Sequence, residues 1–212
     1  MGINRMGPPE SLVLALQEQL DIREFVETGT FHGHTTAWAA GHFERVITIE
    51  LSPDYHAAAV ARFKADPRIR PLCGSSTAVL RAMVPALTAP AIFWLDAHWS
   101  GLDTAGREAE CPLLAEIELL NGTAVDHVVL VDDARLFCAP PARPHRADQW
   151  PDLAAAVGAL SADGRRYVVL VDDVLVGVPA AVRPFLVQWL QDAPPAEQVP
   201  GLLQRAWRKL RR

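Results

Sequence analysis

The chain has 212 residues, half of them hydrophobic and 21% charged, with a net charge of −5. That length suits one domain with a full core, residues 1–212, and that charge argues against a general nucleic-acid binder. No apolar run reaches the length of a membrane span.

The first residues, Met1 to Pro9, lack the apolar core of a signal peptide. Three scattered cysteines, Cys73, Cys111 and Cys138, make a disulfide framework improbable and fit a reducing cytoplasm. Only Lys64 and Lys209 are lysines, so lysine is a poor candidate for a central catalytic base.

Periodicity predicts an N-terminal helix over 8–20, with apolar Leu12, Leu14, Leu16 and Leu20. A short strand follows over 24–27, then a helix from about Gly33 to His42. Arg45–Glu50 is the next strand. Ser52-Pro53 starts a helix, because serine caps and proline suits the first turn. Asp66-Pro67 stops it. Ile69–Cys73 is a third strand, and Gly74-Ser-Ser-Thr opens a helix ending near Leu87. The fourth strand is 91–96. A polar loop over 98–110 leads to a helix from Cys111-Pro112 to Asn121-Gly122. The fifth strand is 125–131. A loop rich in proline and arginine, 138–149, precedes a helix over 150–160. Strands at 166–171 and 174–178 flank Asp172-Asp173 as a hairpin. A helix over 179–190 follows, then a tail from 191 that closes with a helical segment at 202–212.

Alternating strands and helices imply an α/β fold. The expected form is Rossmann-like and doubly wound. Its sheet is mostly parallel with an antiparallel last strand, and helices lie on both faces.

Two strings carry the chemistry. In Phe25-Val-Glu-Thr-Gly-Thr-Phe-His-Gly-His-Thr-Thr36, a buried strand breaks on glycine and restarts as a helix. Gly29 allows a sharp turn and close approach to a ligand. Gly33 opens the helix, and Thr35 and Thr36 sit in its first turn, where free N–H groups favour an anionic ligand group. Glu50 ends the second strand, where a carboxylate can accept bonds from two ribose hydroxyls. The spacing Gly29-x-x-x-Gly33 departs from the dinucleotide fingerprint. Glu27, ahead of the glycine, suits a positively charged amino group. Nicotinamide cofactors carry none there; S-adenosylmethionine (SAM) does. The plain alternative is a glycine-rich turn beside a surface acid.

The second string is Val128-Val-Leu-Val-Asp-Asp133, a strand ending on Asp132 and Asp133. Asp96 ends the strand before it. In a parallel sheet these ends share one edge. Three converging carboxylates repel unless a cation binds, and all-oxygen ligation suits Mg²⁺. The alternative is that Asp132 or Asp133 caps the following turn.

These strings resemble the class I SAM-dependent methyltransferases, over roughly residues 22–190. Glu27, Gly29 and Gly33 match a variant of the first motif, and Glu50 matches the ribose-binding acid. Gly74-Ser75-Ser76 matches the region that contacts adenine. Val-Glu-Thr-Gly is similar to the motif of macrolide-sugar O-methyltransferases. Leu95-Asp96-Ala97-His98-Trp99 and Val131-Asp132-Asp133 are similar to the metal-ligand segments of catechol and antibiotic-sugar O-methyltransferases. The resemblance implies SAM held by Glu27, Gly29, Thr30, Gly33, Thr35, Glu50, Ser75 and Ser76. It implies Mg²⁺ on Asp96, Asp132 and Asp133, and a small-molecule hydroxyl as acceptor. The catechol enzyme has a lysine base after its first metal ligand. Here His98 stands in that segment and can take the role.

Two other readings stay open. One is a metal-using hydrolase or hydroxylase-like enzyme on the same fold. The other is a non-catalytic cofactor-binding module; a homo-oligomer is compatible with the methyltransferase reading as with these. Glu108, Glu110 and Cys111 lie in a loop over the site edge. Arg143, His145 and Arg146 form either a substrate lid or a solvated loop. The basic stretch Arg205–Arg212 reads as a solvated helix end, or as a contact to a membrane or an acidic partner.

Overall fold

A computed structural model describes residues 7–101 and 104–192. The expected helix at 202–212 lies outside them. Among the described residues seven strands form one sheet: β1 (Glu24–Thr28), β2 (Arg45–Glu50), β3 (Ile69–Cys73), β4 (Ala91–Leu95), β5 (Val128–Val131), β6 (Arg166–Val171) and β7 (Val174–Pro179). Their order is β3-β2-β1-β4-β5-β7-β6. β7 runs antiparallel to both neighbours, and the other pairings are parallel. The expected hairpin is therefore present. Its second strand is the one wedged against β5.

Among the described residues seven α-helices cover the sheet: α1 (Glu10–Leu20), α2 (His34–Ala40), α3 (Pro53–Phe63), α4 (Ser76–Met83), α5 (Leu113–Asn121), α6 (Leu153–Leu160) and α7 (Arg183–Asp192). Leu12, Leu16, Phe43, Phe63 and Leu186 pack with Phe25 and Trp94 on one face. Leu80, Ile117 and Leu160 pack with Val26 and Phe93 on the other. Burial on both faces explains why β1, β4 and β5 read as unbroken apolar runs instead of alternating ones.

Caps set several boundaries. Ser52 accepts the N–H of Tyr55 with Pro53 behind it, and Ser75 accepts that of Ala78. Three expected starts move inward by three residues or more. The 150–160 helix begins at Leu153, where Asp152 accepts the Ala155 N–H at 2.8 Å. The last helix begins at Arg183, behind a 3-10 turn over Ala180–Val182. The fifth strand begins at Val128, not 125. The Arg165 guanidinium takes the carbonyls of Asn121 and Thr123, each at 2.8 Å, and holds that segment as a turn.

The register aligns the strand ends. Thr28 pairs with Leu95, and Leu95 with Val131. The next residues extend the ladder. Asp96 N–H donates to the Thr28 carbonyl at 3.0 Å, and Asp132 N–H to that of Leu95 at 3.1 Å. Gly29 N–H reaches the Ile49 carbonyl at 2.9 Å. The glycine, the carboxylate that ends β2 and those that follow β4 and β5 are thus set side by side by backbone pairing alone.

Candidate active site

A cavity of about 390 Å³ opens along that edge. Gly29, Glu50, Ser75 and Ser76 line one half; Asp96, His98, Asp132 and Asp133 line the other. Glu27, Thr30, Gly33 and Thr35 are not on its wall.

Gly29 has φ 87°, a left-handed conformation. A Cβ there would meet the backbone of Asp96, whose carbonyl carbon would lie 2.8 Å away. The glycine thus lets the end of β4 press against the turn after β1. Gly33, at φ 70°, caps α2, and a Cβ would strike the Phe63 ring at 2.9 Å. Its role in the fold is to seat α3.

Glu50 accepts the N–H of Phe31 at 2.9 Å and of Ser52 at 2.8 Å, one on each oxygen. A carboxylate has about four acceptor sites, so both oxygens keep capacity toward the cavity. Phe31, Leu51 and Tyr55 add an apolar wall beside it. Sequence reasoning missed this wall, although Phe31 stands inside the glycine loop and Leu51 directly after the acid.

Glu27 is 2% exposed and accepts the hydroxyls of Thr36 and Thr48, the latter at 2.7 Å. Thr48 and Thr30 share a bond of 2.6 Å. Burial pushes the Glu27 carboxyl up to about 7 against these hydroxyls.

In the other half, burial and the facing Asp132 and Asp133 carboxylates raise Asp96 well above the carboxylate range. Burial and Asp133 push Asp132 up to about 7. Asp133 differs. Burial works against its charge, but His98 and Arg135 outweigh it and hold its pKa below the usual value. His98 bridges the two sides, with Nε2 3.2 Å from Asp133 and Nδ1 3.6 Å from Asp96. Arg135 contacts Asp133 and Asp173, and its N–H donates to Asp173 at 2.9 Å. The Asp172-Asp173 turn, read only as a hairpin, therefore also buttresses the site. Arg135 carried no sequence signal beyond its place after the acids.

Comparison with solved structures bears on the fold. An O-methyltransferase from Bacillus cereus in complex with SAH is similar at a TM-score of 0.60, with 17% identity and 83% of each chain covered. The O-methyltransferase TomG from Streptomyces achromogenes, involved in tomaymycin synthesis and in complex with SAM, gives 0.58 at 18% identity. That match covers 82% of this chain and 81% of TomG. The SAH-bound Podospora anserina methyltransferase PaMTH1 gives 0.53 at 17%, covering 80% and 76%. The chain has the class I methyltransferase fold. No family model and no curated protein matches the sequence. On this fold the cavity lies where the glycine turn, the β2 acid and the β4 and β5 acids converge, and no helix among the described residues is long and apolar enough to cross a membrane.

Proposed function

We propose that the chain is a SAM-dependent O-methyltransferase acting on a small-molecule hydroxyl. The observation that carries this reading is one cavity with two unlike halves. The half with Gly29, Glu50, Ser75 and Ser76 suits a nucleoside methyl donor, and the half with Asp96, His98, Asp132 and Asp133 suits an acceptor hydroxyl. Glu50 would take the ribose hydroxyls on its free acceptor sites. Ser75 and Ser76, at the start of α4, would border the adenine. Glu27, Thr30, Gly33 and Thr35 would support this half from behind. Glu27 joins β1, β2 and α2 through the Thr48 and Thr36 hydroxyls.

The acceptor half has an electrostatic opening for Mg²⁺. Burial disfavours the ionised form of both Asp96 and Asp132, and nearby carboxylates add to it, Asp132 and Asp133 at Asp96 and Asp133 at Asp132. Magnesium commonly uses one or two carboxylates and fills the rest with water and substrate oxygens. Asp133 is engaged by His98 and Arg135, and no three His, Cys, Asp or Glu among the described residues are arranged around one point. We therefore read Asp96 and Asp132 as the main ligands, with Asp133 as a third only if it gives up those contacts. When bound, the ion would supply Lewis acidity to the acceptor hydroxyl.

His98 accepts the hydroxyl proton, and Asp133 orients its ring. When bound, SAM would supply the methyl carbon to the acceptor oxygen, with S-adenosylhomocysteine as the leaving group. Alignment in the cavity can supply up to roughly 7–11 kcal/mol of the rate enhancement. Three unpaired cysteines accord with a cytoplasmic setting.

Calorimetry with SAM tests the donor half. Glu50→Ala should weaken binding by about 1.5–3 kcal/mol, the worth of charge-assisted bonds. Equal affinity in both proteins would remove Glu50 from the site. Turnover in EDTA tests the metal. It should fall with SAM affinity retained, and undiminished turnover would leave Asp96 and Asp132 without a cation role.

A further inference from the structure

The loops that follow β4 and β5 meet on one buried carboxylate, Glu110, which is 1% exposed. Its Oε2 accepts the Trp150 indole N–H at 2.8 Å and the Arg146 N–H at 3.0 Å. The same oxygen lies 3.2 Å from Nδ1 of His145, and Oε1 lies 3.1 Å from the Arg146 nitrogen. The Glu110 backbone joins in. Its carbonyl accepts the Trp99 N–H at 2.7 Å, and its N–H donates to the Gln149 side chain at 2.8 Å. Gln149 returns a bond to the Glu108 carbonyl at 3.2 Å.

What Glu110 holds in place is the wall behind His98. The Trp150 ring stands edge-on to His98 with centroids 5.5 Å apart. His145 stands edge-on to Trp99 at 4.9 Å and to Trp150 at 5.3 Å. One side of His98 faces the carboxylates of Asp96 and Asp133; this aromatic wall meets another. Each donor aimed at Glu110 needs an acceptor, and an ionised carboxylate is acceptor-only. An amide of the same shape would turn an NH₂ toward some of those donors and leave buried groups unpaired.

We propose that Glu110 is a positioning residue for His98, acting through Trp150 and the loop that carries it. The proposal rests on the methyl-transfer reading only in its kinetic arm. Trp150 also packs on Phe137, with centroids 6.2 Å apart, so what Glu110 adds is the orientation of the indole and of the loop before it, and misplacement of about 1 Å near a reacting group can cost about 100-fold in rate.

The test uses the full chain carrying Glu110→Gln. Hydrogen exchange at the Arg146 amide and the Trp150 indole should quicken about tenfold or more, while β1 and β4 keep their protection. The His98 ring resonances should move, kcat should fall roughly 10- to 100-fold, and the SAM dissociation constant should stay within about twofold. Trp150→Phe deletes the indole donor and keeps a ring beside His98, so it should show part of the kcat and resonance changes. It serves alone if Glu110→Gln does not fold. Unchanged His98 resonances or wild-type kcat in the folded variant overturns the proposal, even with faster loop exchange, because Glu110 would then only staple the loop. If the wild-type protein binds no SAM, the methyl-transfer reading fails separately, and the exchange and resonance arms still decide the role of Glu110.

Discussion

His98 has a carboxylate near each ring nitrogen, Asp133 at 3.2 Å and Asp96 at 3.6 Å. The longer distance is outside hydrogen-bond range, so Nδ1 is the nitrogen less firmly held. A base in this position should matter to chemistry and not to donor binding. His98→Ala should lower kcat by roughly 10²- to 10⁴-fold, with SAM affinity within about twofold. Steady-state kinetics with calorimetry on the same preparation checks this. A variant with wild-type kcat would leave His98 a structural link between two acids. The residue types at this site were legible in the sequence because each acid ends an apolar run. Their unequal roles were not. Asp133 is set apart by Arg135, and Arg135 is held by Asp173, which comes from a hairpin that the sequence presents only as a turn. Glu27 is a similar case. Its place before the glycine was plain, but its engagement by Thr36 and Thr48 depends on how β2 and α2 pack around β1.

At the scale of elements, Glu24–Thr28 and the turn after it show why spacing can be read and its cause missed. The glycine at 29 was legible as a point of close backbone approach. The group that approaches is the peptide of Asp96, at the far end of a neighbouring strand. The glycine at 33 was legible as a helix start, and its neighbour is the Phe63 ring at the end of α3. Both causes are contacts between distant segments, which periodicity does not encode. Helix starts were legible at the serine caps, Ser52 and Ser75. They slipped at Leu153 and Arg183, where proline, a 3-10 turn or a later cap moved the first turn. The Gly29 contact has a testable cost. Gly29→Ala places a Cβ against the Asp96 carbonyl in a left-handed conformation, itself worth about 1–2 kcal/mol. The variant should lose at least about 2 kcal/mol of stability in urea and both donor affinity and turnover, since one shift disturbs both halves of the cavity. Loss of turnover with unchanged donor affinity and unchanged stability would show that the two halves are not joined at this glycine.

Across the whole molecule, buried ionisable groups at opposite edges of the sheet pull stability in opposite directions with pH. Burial and the nearby Arg166 and Arg165 charges lower His127 to about 4. It is fully buried, and its Nδ1 lies 3.2 Å from the Ala91 nitrogen as an acceptor. The unfolded chain binds this proton with a pKa near 6.5, so His127 removes stability as pH falls from about 6.5 toward 4. Glu27 acts the other way. Burial raises it to about 7, so the folded state holds its proton longer than the unfolded chain does. Its contribution is greatest below about 4.5 and is lost as pH rises toward 7. Glu116, also buried and raised to about 6, adds in the same sense. A shift of one pKa unit corresponds to about 1.4 kcal/mol, so Glu27 and His127 each change stability by about 2 kcal/mol between pH 5 and 8. Their slopes largely offset each other in the wild-type chain. Single variants should separate them. Relative to wild type, Glu27→Gln should lose about 2 kcal/mol more on going from pH 8 to pH 5, because Glu27 then no longer offsets the His127 penalty. His127→Asn keeps an acceptor for the Ala91 N–H, and its stability should rise over the same interval by a similar amount relative to wild type. Urea unfolding of the three proteins at pH 5, 6.5 and 8, without ligand or metal, measures this. Parallel curves for all three would show that neither buried group titrates differently in the folded and unfolded chains, and the Glu27 threonine cage would then have to hold an ordinary carboxylate.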